Sequence, residues 1–351
     1  MTSEGRHPMR LQRRGILHGL IALPISWPRP ELPPGEVSAS ASSGRELAQR
    51  LDRARPGDVI ALEPGQYGGV EEFVVAADDV SIVSLVPLGA IIHAPVLVDG
   101  HGVTLTGLAF RDPGAPGFQL AAAMACRDFL SITGIDVEVR GCDFGYFGAR
   151  AILVRPSGLR PYIHDCTFHD NRDGGGDHNV HEAISLGYDN PTAVTSLRAR
   201  VLNNRMWNLN VEDEAISIKT SDNLIQGNTL SSSKAGFSNR YGERNQYINN
   251  RFAGARGCVI YDRDNVLRDN TVELGGKILI MGGNATANET RNNYRSQSTN
   301  ATLDGNKGPL IIGYNYSGDK LPALNTRVLS HTGTIRLRDQ DGTRIAGRLV
   351  G

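Results

Sequence analysis

The chain of 351 residues is long enough for one elongated domain or two compact ones, and its 41 glycines with 6% aromatic residues suit a turn-rich β protein better than a helical one. Its 37 basic residues cancel 37 acidic ones, so no global field draws it to nucleic acid or to a membrane surface, and an anionic ligand must be held by local charge. Four cysteines without Cys-x-x-Cys or Cys/His spacing argue against a zinc site.

Residues 1–36 read as separate from the fold. Arg13 and Arg14 precede an apolar run, GILHGLIALPI, and then the proline-rich SWPRPELPPG. A basic start, a short apolar stretch and a break predict an export signal of the twin-arginine type, followed by a linker. The run is too short to anchor the chain across a membrane. The expected destination is the periplasm or the exterior, and residues 37–351 are expected to form a single domain that works as a monomer.

Ser43 to Ala54 predicts a short amphipathic helix, with Leu47, Leu51 and Ala54 on one face. Placed before the first strands, it would cap a β stack whose open end exposes unpaired edges. RPGDVIALEPGQYGG then reads as turn, strand and turn. From about residue 70, short strands alternate with turns. VSIVSL (80–85), VTLTGLAF (103–110) and LSITGI (130–135) recur as equivalent segments.

The later half is more regular. An Asn-x-apolar-x-x-Asn-x-apolar pattern occurs as NLIQGNTL, NQYINNRF, NVLRDNTV and NETRNNYR, beginning at Asn223, Asn245, Asn265 and Asn288. Units of this size cannot bury an apolar face alone and must stack. Asparagines at equivalent turns can pair their side-chain amides up such a stack. A propeller would need blades of about forty residues with a recurring tryptophan, and the chain has two tryptophans. A sandwich would need tight hairpins, and Asn-Gly or Asp-Gly turns between matched strands are scarce. The predicted fold is therefore all-β, a right-handed parallel β-helix with a short N-terminal capping helix. Ile184, Ile216, Phe237, Cys258 and Ile278 are expected in one inward column. Cys142 and Cys166 hold equivalent places in VRGCDF and IHDCTF and are expected to be stacked, as buried thiols rather than a disulfide. Residues 294–351 lose the ladder, with GPLIIGYNY as a further rung and TGTIRLRDQDGTRIAGRLV as a terminal hairpin.

One stretch concentrates charge that the fold does not need. Glu212 and Glu214 stand two apart, Lys219 follows at the end of AISIK, and Arg240 ends GFSNR. As successive rungs roughly 5 Å apart, these strands would place Ile216 over Phe237, Ser217 over Ser238 and Lys219 over Arg240. Glu214 has the parity of the inward Ile216, so a bend must precede Ala215 for Glu214 and Lys219 to share a face. His164, His169, His178 and His181 crowd another region with Asp165, Asp170, Asp173 and Asp177, which reads as a polar loop lining a groove rather than a transition-metal site. His181, Arg205, Arg244 and Arg263 are candidates for binding substrate.

With these residues in view the chain resembles polysaccharide lyase family 6, the β-helical alginate lyases and chondroitinase B. The resemblance rests on Glu212-Asp213-Glu214-Ala215-Ile216-Ser217-Ile218-Lys219, on Arg240-Tyr241-Gly242, and on Asn179-Val180-His181-Glu182 leading into a strand. It implies that Asn179, Glu212 and Glu214 bind Ca2+, that Lys219 is the Brønsted base, and that Arg240 acts near the leaving oxygen. Tyr241 stands where the family usually has histidine, and Val180 and His181 stand where it usually has glycines. The implied activity is β-elimination on an anionic, uronate-containing polysaccharide, alginate first among them. That chemistry requires an acidified C5 proton, which a hard cation on oxygen ligands supplies by neutralising the uronate carboxylate. Tyr241 is a candidate donor to the leaving oxygen, with Arg240 stabilising charge. The alternatives on this architecture are a uronan C5-epimerase, a glycoside hydrolase, which needs a facing carboxyl pair, or a non-catalytic carbohydrate-binding β-helix.

Overall fold

The computed structural model describes residues 37–112, 128–173, 180–188, 195–284, 296–314 and 320–349. The predicted export signal, Asn179 and His178 lie outside them. Among the described residues no helix is long and apolar enough to cross a membrane.

The chain winds through three long parallel sheets, returning to each in turn. Among the described residues the first sheet has fourteen strands, beginning with Ala39–Ala41 and Val59–Leu62, and the second and third have eleven each, beginning with Gly65–Tyr67 and Phe73–Val75. Within the three long sheets every described pairing is parallel except the final pair Arg344–Ile345 and Arg348–Leu349, and a separate two-stranded antiparallel pair joins Gly283–Asn284 to Lys320–Leu321. This is the predicted parallel β-helix.

Alternation drives the arrangement: one side of each short strand faces the axis, and neighbouring rungs put equivalent side chains in register. Ile184 pairs with Ile216, Ile216 with Phe237, Phe237 with Cys258 and Cys258 with Ile278, and all five are fully buried. Burying each such side chain contributes roughly 1.5–3 kcal/mol, and the column repeats on every sheet.

The capping helix spans Gly44–Leu51, with Ser43 as N-cap accepting from the Glu46 amide and with Leu47 and Leu51 buried. Those leucines line the end of the core together with Phe73, Ile82 and Phe110.

The corner between first and second sheets explains the asparagine pattern. One residue there takes a left-handed conformation: Gly141, Asp165, Asn203, Gly227, Asn249 and Asp269 in successive rungs. Glycine, asparagine and aspartate are the residues that adopt it most readily. The next residue turns inward, giving the column Cys142, Cys166, Asn204, Asn228, Asn250, Asn270 and Asn306, all buried. Each asparagine from 204 to 270 donates from Nδ2 to the next Oδ1, at 3.0, 3.1, 2.9 and 2.9 Å. The Cys166 amide donates to Asn204 Oδ1 at 2.9 Å, so the thiols and the amides form one column. Cys142, Cys166 and Cys258 are free and buried.

Four expectations change. LSITGI is not equivalent to VSIVSL and VTLTGLAF: Ile82 pairs with Leu105, and Leu105 with Val139, whereas Leu130–Ile132 belongs to the third sheet. Short apolar strands of all three sheets look alike in sequence. NETRNNYR, at 288–295, lies outside the described residues; the next rung after Asn270 comes 36 residues later at Asn306. The ladder therefore continues past residue 294. Only its last four strand residues make the hairpin, since Ile335–Leu337 extends the third sheet in parallel. Finally, His164 and His169 lie in different sheets and each faces its own carboxylates, so these two do not share one loop.

Candidate active site

The third sheet carries the site on its outer face. Two register shifts shape it. Between Glu214 and Ile216 the strand Glu214–Lys219 gains a residue on Gly236–Tyr241, which is the bend that the parity of Glu214 demanded. The extra residue is Ala215, buried in the core beside Ile216. A second shift sets Lys219 opposite Tyr241. Lys219 therefore does not lie over Arg240 as expected: a β-bulge puts two residues of one strand against one of the other, and Arg240 is the additional one.

A charged column runs up the corner where each chain turn enters the third sheet. Asp128, Arg150, Glu182 and Glu214 each stand two residues before the paired positions Leu130, Ile152, Ile184 and Ile216. Arg150 lies 3.5 Å from Asp128 and 3.2 Å from Glu182, and Arg240 lies 3.5 Å from Glu214. Lys219 Nζ lies 3.4 Å from Glu182 Oε1. Lys219 is at the far end of its strand from the position equivalent to Glu182, so both side chains must extend towards each other along the sheet. The outer residues beside that path are Ser185 and Ser217, paired and fully buried. Small side chains there let the lysine lie flat.

Glu182, Glu212 and Glu214 bring carboxylate oxygens within 4.8 Å of one another. Glu212 Oε2 accepts the His181 amide at 3.0 Å. Burial, and then the charge of Glu182, pushes the Glu212 carboxyl up to about 8. Burial also raises Glu214, against the opposing pull of Arg240, and raises Asp128 against that of Arg150. Three converging oxygen donors, one of them destabilised as an anion by the others, suit a hard divalent cation. The residues thus fit Ca2+, with Glu182 joining Glu212 and Glu214.

Glu182 and Arg150 were not among the candidates read from the sequence. Glu182 had a signal, because EAIS occurs at 182–185 and again at 214–217. Arg150 had none short of the rung register. Of the candidates, His181 is buried against the cluster through its backbone. Tyr241 is buried and lies outside the apolar core cluster. Arg205 is on the second sheet. Arg244 is at the corner between third and first sheets, paired with Asp222 at 2.7 Å and Glu243 at 2.9 Å, and Arg263 is 2.8 Å from Glu243. The structure does not bring these three arginines to the carboxylates. Lys219 is fully buried, while Glu214 and Arg240 retain some exposure, with side chains 12% and 10% accessible.

The Chondroitinase B family model matches residues 159–305. No curated protein matches the chain. Among solved structures, a PL6 alginate lyase in complex with a trisaccharide aligns with a TM-score of 0.64 at 19% identity, over 92% of this chain and 86% of that one. The alginate lyase AlyF-OU02 aligns at 0.61 and 19%, over 82% and 79%. A mannuronic acid specific polysaccharide family 6 lyase from human gut microbiota aligns at 0.61 and 17%, over 85% and 82%. At such identities the likeness is one of fold. The chain has the fold of the polysaccharide lyases of family 6, and it carries the chondroitinase B sequence pattern over the segment that holds Glu182, Glu212, Glu214, Lys219 and Arg240.

Proposed function

We propose that this protein is an exported polysaccharide lyase that cleaves a uronate-containing polysaccharide, alginate in the first instance, by β-elimination. The observation that carries this reading is the convergence of Glu182, Glu212 and Glu214 beside Lys219 and Arg240 on the outer face of the third sheet. Ca2+ held by the three glutamates, with Asn179 as a further candidate, would neutralise the uronate carboxylate and so acidify C5. The neutral amine of Lys219 takes the C5 proton, the bond from C4 to its leaving oxygen breaks, and a C4–C5 double bond forms. Arg240 stabilises the leaving oxygen, and Tyr241 or water returns a proton to it. In the structure Lys219 is committed to Glu182 and covered, so this reading requires the pair to separate as substrate enters.

That burial is also the observation that favours a second reading, a carbohydrate-binding β-helix without turnover. A screen of the purified protein against alginate blocks, pectate and dermatan sulfate separates them. Ultraviolet absorbance from the unsaturated product marks a lyase. Binding without such product on every substrate rejects the lyase. An epimerase would exchange the C5 proton and leave the chain length unchanged.

A further inference from the structure

The outer face of the second sheet holds a feature that the proposed reaction does not use. Trp207 pairs with His169 in the rung before and with Ser231 in the rung after, and Ser231 pairs with Ala253. The indole and imidazole rings stack at 4.6 Å and 4°. His169 is itself fixed by Asp170 at 2.7 Å and Asp143 at 3.3 Å, so the indole rests on a held ring. Beyond it, Ser231 and Ala253 are too small to cover its other face. A parallel column on the same face runs Arg205, Thr229 and Arg251. Both arginines are exposed. They are two rungs apart, roughly 10 Å. Arg251 has an ion pair with Glu273 at 3.0 Å, with both side chains largely exposed, and such surface pairs exchange readily.

We infer that this shelf is an accessory binding surface for an extended polyuronate chain, with one pyranose stacked on Trp207 and carboxylates on Arg205 and Arg251. The chemistry matches in both parts. A half-buried indole backed on one face, with the small Ser231 and Ala253 on the rungs beyond it, takes the C–H face of a sugar ring. Guanidinium groups two rungs apart meet carboxylates carried at a regular spacing along one side of the polymer. Trp207 ends the strand that leads into the turn bearing Glu212, so a chain held here is delivered around one corner to the carboxylate cluster. The choice of a uronate ligand rests on the lyase reading.

The tests use the full chain. Trp207→Phe keeps an aromatic ring on His169, and Arg251→Gln keeps polarity without charge. In the otherwise native enzyme each should raise the KM for long polyuronate tenfold or more and leave kcat, and turnover of a trisaccharide, unchanged. On a Lys219→Ala background, each should weaken retardation in gels containing alginate by a similar factor. With Trp27→Phe, Trp207 becomes the sole indole, and its fluorescence should shift saturably as alginate is added. Unchanged KM and retardation in both variants, or no fluorescence shift, would overturn the inference. Equal retardation by a neutral β-1,4-glucan would overturn the uronate assignment. These failures are distinguishable from failure of the lyase reading, which is absence of unsaturated product while Trp207-dependent binding persists.

Discussion

Lys219 Nζ and Glu182 Oε1 lie 3.4 Å apart with both side chains fully buried. Neither charge has water to fall back on, so each holds the other in place.

Glu182→Gln would leave a buried ammonium facing a neutral amide, with Arg150 on its other side. Breaking one half of a buried pair costs about 3–5 kcal/mol. The expected result is a clear fall in denaturant midpoint with unchanged m-value, together with loss of lyase turnover. A midpoint within experimental scatter of the parent would show that the pair does not form in solution.

Glu212 gives a pH prediction. Burial beside Glu182 lifts its carboxyl from 4.5 to about 8. Between those values the native state keeps a proton that the unfolded chain releases. Stability should therefore be full below pH 4.5, fall as pH rises towards 8 with a slope approaching about 1.4 kcal/mol per pH unit, and flatten above. The profile is to be measured by chemical unfolding in chelator. Added Ca2+ should stabilise more at high pH than at low, because it competes with that proton. Equal stabilisation at pH 5 and pH 8 would remove Glu212 from the cation site.

Much of the fold was legible because the repeat is written at its corners. A left-handed residue followed by an inward asparagine marks rung after rung, and the stack of Ile184, Ile216, Phe237, Cys258 and Ile278 follows once those marks are aligned. What failed to show depends on insertions and bulges. The length of the rung between Asn270 and Asn306 hid the continuing ladder, and the shift opposite Lys219 replaced Arg240 by Tyr241. Ladder hydrogen bonds set local register, and no residue type announces a bulge. Glu182 was legible in the repeated EAIS, whereas Arg150 gains its role only from standing between Asp128 and Glu182.

The asparagine column should act as a set of linked rungs. Asn228 Oδ1 accepts from both the amide and Nδ2 of Asn204, and its Nδ2 donates to Val201 O and Asn250 Oδ1. Asn228→Ala strands several buried partners, each at about 1–3 kcal/mol, so a loss of at least about 3 kcal/mol is expected. Asn228→Asp should also destabilise, because a carboxylate cannot donate to Val201 O. Thermal unfolding of both variants checks this. If Asp were tolerated as well as Asn, the donated bonds would contribute little.

Tyr241 offers the sharpest division of labour within the proposed reaction. Its backbone stands opposite Lys219, and its side chain is buried outside the apolar core cluster. The bulge at Arg240 is what allows two successive residues to serve the outer face, where strict alternation would send one of them inward. A proton removed at C5 and a proton delivered to the leaving oxygen are separate tasks. In the proposed reaction Lys219 and Tyr241, which stand opposite each other on adjacent strands, would divide them, with Arg240 stabilising charge. Tyr241→Phe keeps the ring and its packing and removes only the hydroxyl. If the hydroxyl is the donor, kcat should fall about 10²–10⁴-fold with KM little changed, as for loss of a general acid. Chains with a better leaving group at C4 should lose less. If kcat stays near that of the parent while Arg240→Ala abolishes turnover, protonation belongs to water and Tyr241 only supports the bulge.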